Sequence, residues 1–238
     1  MKTNLSQSIL AVLLSTLSLD VLAQAHDNPD PLLGTVVIEQ LEWRDTPGEK
    51  PLILEGHGWL GYDLHKLWIK TDLDVVEGEV EEAEVQALYS RAISAFWDMQ
   101  VGARVDLEPS PSQTWGVIGV QGLAPYFYDI DAALFIGDSG DLAARVSAEY
   151  EIMLTQNWVL SPELSLDFFG QNDRSMARGS GLATAQAGLR LRYEIRREFA
   201  PYVGINWNRM FGSTADFARA SGEDVSDTHW VVGVRAWF

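Results

Sequence analysis

The chain has 238 residues, no cysteine, and 34 acidic against 17 basic residues, for a formal charge of −17. The missing thiols exclude a disulfide framework and any thiolate metal site. So acidic a chain disfavours nucleic acid and favours cations. The length suits one barrel or one to two soluble domains.

From the N-terminus, Lys2 precedes an apolar run over 9–19 and then Ala23-Gln24-Ala25, a small-x-small cleavage pattern. The run is shorter than the roughly 20 apolar residues of a spanning helix. It predicts a signal peptide over 1–25, cleavage before His26, and a short periplasmic tail over 26–34. A free amine and imidazole on His26 suit Cu(II).

Period-two alternation then defines about twelve segments of roughly ten residues, the length of a tilted strand crossing a bilayer. They fall near 35–44, 52–62, 66–75, 81–91, 96–107, 115–124, 127–136, 142–154, 158–169, 182–194, 200–210 and 227–238. Links at 63–65, 124–126 and 155–157 are tight, whereas 170–181 and 211–226 are long, polar and glycine-containing. With the N-terminus inside, the tight links lie on the periplasmic side.

The faces separate well in mid-chain. Ala144, Val146, Ala148, Tyr150, Ile152 and Leu154 alternate with Arg145, Ser147, Glu149, Glu151 and Met153. In the next clear case Leu189 and Leu191 alternate with Arg190 and Arg192. A charge facing lipid costs about 2–4 kcal/mol near mid-membrane, so the charged row belongs in a lumen. Glu39 breaks the pattern by falling in register with Leu41 and Trp43, which predicts a bulge or an interfacial position. A soluble barrel would reverse the faces. The leader, the aromatic segment ends (Tyr62, Tyr89, Trp97, Tyr128, Tyr150, Tyr193) and the final strand favour the membrane version. That strand, HWVVGVRAWF over 229–238, ends on Phe238, as an outer-membrane β-barrel does. The expected fold is all-β, a transmembrane antiparallel barrel over 35–238.

Inside a narrow twelve-stranded lumen, charges such as Lys70, Asp72, Asp131, Arg145, Asp167 and Arg190 would pair and plug the barrel. Acid exceeds base, so a cation with a path through meets a favourable field. Soft thioether with imidazole suits copper, especially Cu(I). Met210, Asp227 and His229 share lumen parity near one mouth and form the first candidate metal site; His57 with Glu55 form the second. For each His the alternative is a hydrogen bond to a carboxylate. Met153 lies inward near the opposite mouth, and Met99 faces lipid. No phosphate loop, zinc spacing or nucleophile elbow is present, and the chain is expected not to be an enzyme. A lipid-boundary Ser-His phospholipase fails on the inward parity of His57 and His229.

Four stretches carry a resemblance: Leu88–Ile93, Gly122–Phe127, Leu189–Tyr202 and Thr214–Phe238. They resemble the copper resistance protein B family, outer-membrane proteins of copper-resistance operons, from about Asp30 to Phe238. The resemblance implies a cell outer membrane barrel in copper homeostasis that binds or passes copper ions beside a periplasmic multicopper oxidase, without enzymatic activity. Many members carry a Met- and His-rich segment before the barrel. Here only Ala25-His26-Asp27-Asn28-Pro29-Asp30 stands there, so a copper role rests on the barrel. Two other expectations remain: a sealed structural barrel docking a periplasmic copper protein, and a general cation or small-solute channel.

Overall fold

The computed structural model describes residues 30–46, 50–174 and 176–238. The leader, its cleavage site and His26 lie outside the described residues. In chain order the strands are β1 (Leu33–Asp45), β2 (Leu52–Gly61), β3 (His65–Val76), β4 (Glu79–Ala92), β5 (Trp97–Glu108), β6 (Gln113–Ala124), β7 (Tyr128–Gly137), β8 (Leu142–Glu149), β9 (Ile152–Met153), β10 (Trp158–Phe169), β11 (Gly181–Tyr193), β12 (Phe199–Met210) and β13 (Ser226–Trp237). Among the described residues one α-helix, α1 (Gly212–Ser221), and a 3-10 turn at Pro125–Phe127 interrupt them.

Every neighbouring pair is antiparallel, and β13 pairs with β1 to close the sheet. At the seam, Val36 N–H donates to the Phe238 carbonyl at 3.0 Å and Phe238 N–H returns the bond to Val36 at 2.8 Å. Closure removes the free edges that a hydrocarbon environment would leave unsatisfied. β8 and β9 are two parts of one crossing, so the barrel has twelve. The sequence predicts an unbroken strand over 142–154. Pro162 on β10 stands opposite the gap and accepts from Tyr150 N–H at 3.1 Å. A proline offers no N–H in return, so the ladder lapses there.

The two faces are as the alternation requires. Trp230 and Val232 are 64% and 57% exposed, whereas Val231 between them is 1% exposed. Outward-facing residues are therefore apolar and accessible, and the inward ones are packed. The aromatic residues Tyr62, Tyr89, Tyr128 and Tyr193 are exposed near the end of the barrel that carries the tight turns. Tyr128 stacks on Tyr150 with centroids 4.8 Å apart.

Three features depart from a plain alternating barrel. The predicted bulge on β1 is present: pairing with β2 shifts between Ile38 and Gln40, and Glu39 forms an ion pair with Arg235 at 2.6 Å. The 211–226 link is not wholly loop, because 212–221 form α1. Its apolar side buries Ala215 and Ala218, and Gly222 in the left-handed conformation (φ 87°) ends it. Gly179 N–H donates to Thr214 Oγ at 2.8 Å, and a Cβ on Gly179 would meet Thr214 N at 2.2 Å, so only glycine permits this docking. Finally, the lumen is not uniformly charged: Trp68, Leu88, Trp115, Val117 and Phe135 from β3 to β7 make an apolar plug.

Candidate functional site

Three ion-pair networks cross the lumen. Arg190 donates from Nε to Glu42 at 3.0 Å, to Gln40 at 2.9 Å, and from Nη1 to Glu163 at 2.5 Å. Glu42, fully buried, also accepts from Tyr202 Oη at 2.9 Å and Arg44 Nε at 2.8 Å. A buried carboxylate holding that many charge-assisted donors is compensated for its lost water. A second network spans β4, β5, β8 and β10: Arg104 bonds Asp106 at 2.6 Å and Glu84 at 2.9 Å, and Arg145 bridges Glu84 at 3.2 Å and Asp167 at 2.8 Å. Nearer the tight turns, Arg192 and Arg235 hold Glu151, and Lys70 pairs with Asp131.

Both candidate sites face this interior. His229 is 7% exposed, and its Nδ1 lies 3.1 Å from Asp227. In a neutral imidazole that contact places the proton on Nδ1 and leaves Nε2 as a lone-pair site, the arrangement by which a carboxylate orients a metal-binding imidazole. Nε2 is buried and has no hydrogen-bond partner among the described residues. Its surroundings are equally unsatisfied: across the ladder Asn206 faces His229 and Asn208 faces Asp227. Asn206 Nδ2 and Asn208 Oδ1 are also buried without partners.

Met210 shares the hairpin and the face, but not the position. Its N–H bonds the Val225 carbonyl at 2.8 Å, which sets it four residues beyond Asn206. At the rise of a strand that is about 13 Å along the ladder from the level of His229. Asp227 and His229 are brought together; the thioether stands as a separate contact closer to the mouth. Among the described residues, no three His, Asp or Glu side chains converge tightly enough to hold one bare ion.

His57 and Glu55 separate as well. His57 packs against Trp68 with the rings tilted by 40° and centroids 5.0 Å apart, and approaches Glu39 at 3.8 Å. Glu55, two residues away, lines a lumen cavity of about 90 Å³ together with Asp72, Asp74 and Asn206. Met99 is 45% exposed on the outer face, as its parity predicts.

Glu42 and Gln40, the centre of the largest network, are absent from the sequence-based candidates because the β1 bulge upsets the parity there. Their signal was present in the out-of-register Glu39. The unsatisfied amides of Asn206 and Asn208 sit on the inward row that alternation identifies.

The family of copper resistance protein B precursors (CopB) matches residues 32–238, almost the whole described chain. The chain belongs to the copper resistance protein B family. A copper resistance protein B homolog of Pseudomonas syringae pv. tomato is 45% identical over 215 residues, covering 90% of this chain and 72% of the relative. Copper resistance protein B of Escherichia coli is 38% identical over 216 residues, 90% of this chain and 73% of the relative. Among solved structures, the NanC porin shares the barrel with a TM-score of 0.56 at 12% identity, covering 86% of this chain and 99% of the porin. At that identity the likeness concerns the fold alone.

Proposed function

We propose that this family member is an exported outer-membrane barrel that binds copper ions transiently in its lumen and hands them on as part of copper resistance, without catalysing a reaction. The tight turns would face the periplasm, beside a multicopper oxidase, and the apolar outer row would contact lipid. The observation that carries the reading is His229: a buried imidazole oriented by Asp227, its free Nε2 facing a wall of unsatisfied amides. An unpaired buried polar atom costs roughly 1–3 kcal/mol, and a passing metal ion relieves that cost. Few fixed ligands suit transfer better than storage.

Copper titration of the purified barrel tests the reading, with Cu(I) followed by competition against a chromogenic chelator. His229→Ala should weaken both oxidation states by about tenfold or more, while Met210→Leu should weaken Cu(I) and leave Cu(II) nearly unchanged. Unaltered isotherms in both variants reject the site.

A second reading is favoured by the Arg190, Arg104 and Arg145 networks and by the apolar plug. It is a sealed barrel that docks a periplasmic copper protein. Bilayer conductance distinguishes them: a conduit passes cations, and a sealed barrel shows no unitary current.

A further inference from the structure

The 90 Å³ cavity lies away from His57 and has its own chemistry. Five carboxylates line it, Glu55, Asp72, Asp74, Glu82 and Glu163, against the guanidiniums of Arg44 and Arg190. Both guanidiniums are already held by Glu42, which is not in the lining, and Arg190 also holds Glu163. The remaining four carboxylates have no ion-pair partner among the described residues. Strand register sets them against one another: Glu55 faces Asp72 across β2–β3, and Asp74 faces Glu82 across β3–β4. Like charges directly opposed on a sheet are destabilising, and a narrow lumen screens them poorly. Retained protons or a bound cation would relieve that repulsion.

An independent feature on the far wall points to the cation. Asn206 lines the same cavity, is only 2% exposed, and its side chain makes no hydrogen bond among the described residues. The atom left without a partner is the donor Nδ2, which is met by an acceptor such as a water oxygen, or by the amide turning to present Oδ1 to a bound cation. Besides Glu163 and the two guanidiniums it and Glu42 hold, the polar groups of the lining that accompany the four unpaired carboxylates are the oxygen-bearing amides of Gln40, Gln186 and Asn206. Sulfur and imidazole are absent from the lining.

We propose that this cavity is a binding site for a hydrated hard divalent cation, such as Mg²⁺, Ca²⁺ or Mn²⁺, distinct from the copper position at His229. The all-oxygen donor set selects hard over soft ions. The side chains do not close tightly enough to strip an ion bare. A cavity of about 90 Å³ has room for several waters, so the ion keeps part of its shell and meets the carboxylates through them.

Mn²⁺ is the probe, its free six-line electron paramagnetic resonance spectrum being recorded as the detergent-solubilised, full-length barrel is added. One Mn²⁺ per barrel should disappear from the free signal and be released by excess Mg²⁺ or Ca²⁺. Glu55→Gln with Asp72→Asn should weaken that binding tenfold or more. Asn206→Asp, which adds a carboxylate to the far wall, should tighten it severalfold and carries the test if the double variant does not assemble. His229→Ala should leave it unchanged, so that failure of the copper reading and failure of this one are separable. Absence of Mn²⁺ binding, equal affinity in the wild type and the assembled variants, or loss of binding in His229→Ala overturns the proposal.

Discussion

The two walls of the lumen are built on different terms. Across β4, β5, β8 and β10, Arg104 and Arg145 are met by Glu84, Asp106 and Asp167, and Phe135 packs under Arg104 with its ring centroid 4.7 Å from the guanidinium carbon. Along β12 and β13, by contrast, Asn206, Asn208 and His229 retain buried polar atoms without partners. The charges of the first wall are compensated and hold the barrel together. Unmet polar capacity on the second is costly for stability and useful only if something binds. The Arg190 cluster on β11 stands with the first wall in character, since each of its acceptors is satisfied.

The sharpest break of this contrast is Glu42→Ala. It strands Arg190, Arg44 and Tyr202 together, and removal of one member of a buried ion pair costs about 3–5 kcal/mol. Urea unfolding of the barrel in lipid vesicles measures it; a cost near zero would mean that this network contributes nothing to the compensated wall. Next in size is Leu134→Arg, on the outer row of β7 where the residue is 60% exposed. An arginine there should cost about 2–4 kcal/mol in the same assay if that row meets hydrocarbon. Conversely, a soluble, monodisperse wild-type protein in plain buffer would reverse the sign.

Deletion of Phe238 removes the two backbone bonds to Val36 at the seam, worth about 0.5–1.5 kcal/mol each. Assembly in the outer membrane, followed by heat-modifiable gel mobility, should fall strongly. The smallest effect belongs to the uncompensated wall. Asn208→Leu removes a buried acceptor that lacks a donor, so unfolding should shift by less than about 1 kcal/mol, toward greater stability if at all. A loss of several kcal/mol would show that Asn208 has a partner in the folded protein, and the contrast between walls would fail.

Particular elements show how far the sequence reached. β10 occupies 158–169, the span its alternation predicts, and the remaining crossings agree within about two residues because outward apolar and inward polar rows have strict period two. Glu39 gave away the bulge by being out of register. The α1 segment went unread because its side chains are small and polar, and its helix is stabilised by packing on the 170–180 link through Thr214 rather than by a strong amphipathic pattern. At the site, inward parity placed Met210, Asp227 and His229 on one face, but parity is blind to distance along the ladder. The four-residue offset of Met210 emerges only from the β12–β13 register.

The strand spans, their two faces and the kinship with copper resistance proteins were contained in the sequence itself, since each depends on residues near one another in the chain or on whole-length similarity. Which charges neutralise one another was decided by the tertiary structure. Glu42 and Arg190 are 148 residues apart and meet only because the sheet closes with a particular register and bulge. The β2–β3 register sets Glu55 against Asp72 and the β12–β13 register sets His229 against Asn206, while no basic side chain forms an ion pair with Glu55 or Asp72 among the described residues. Local alternation specifies the direction in which a side chain points, whereas ion pairing depends on separations of a few ångströms across the lumen, which only the closed barrel defines.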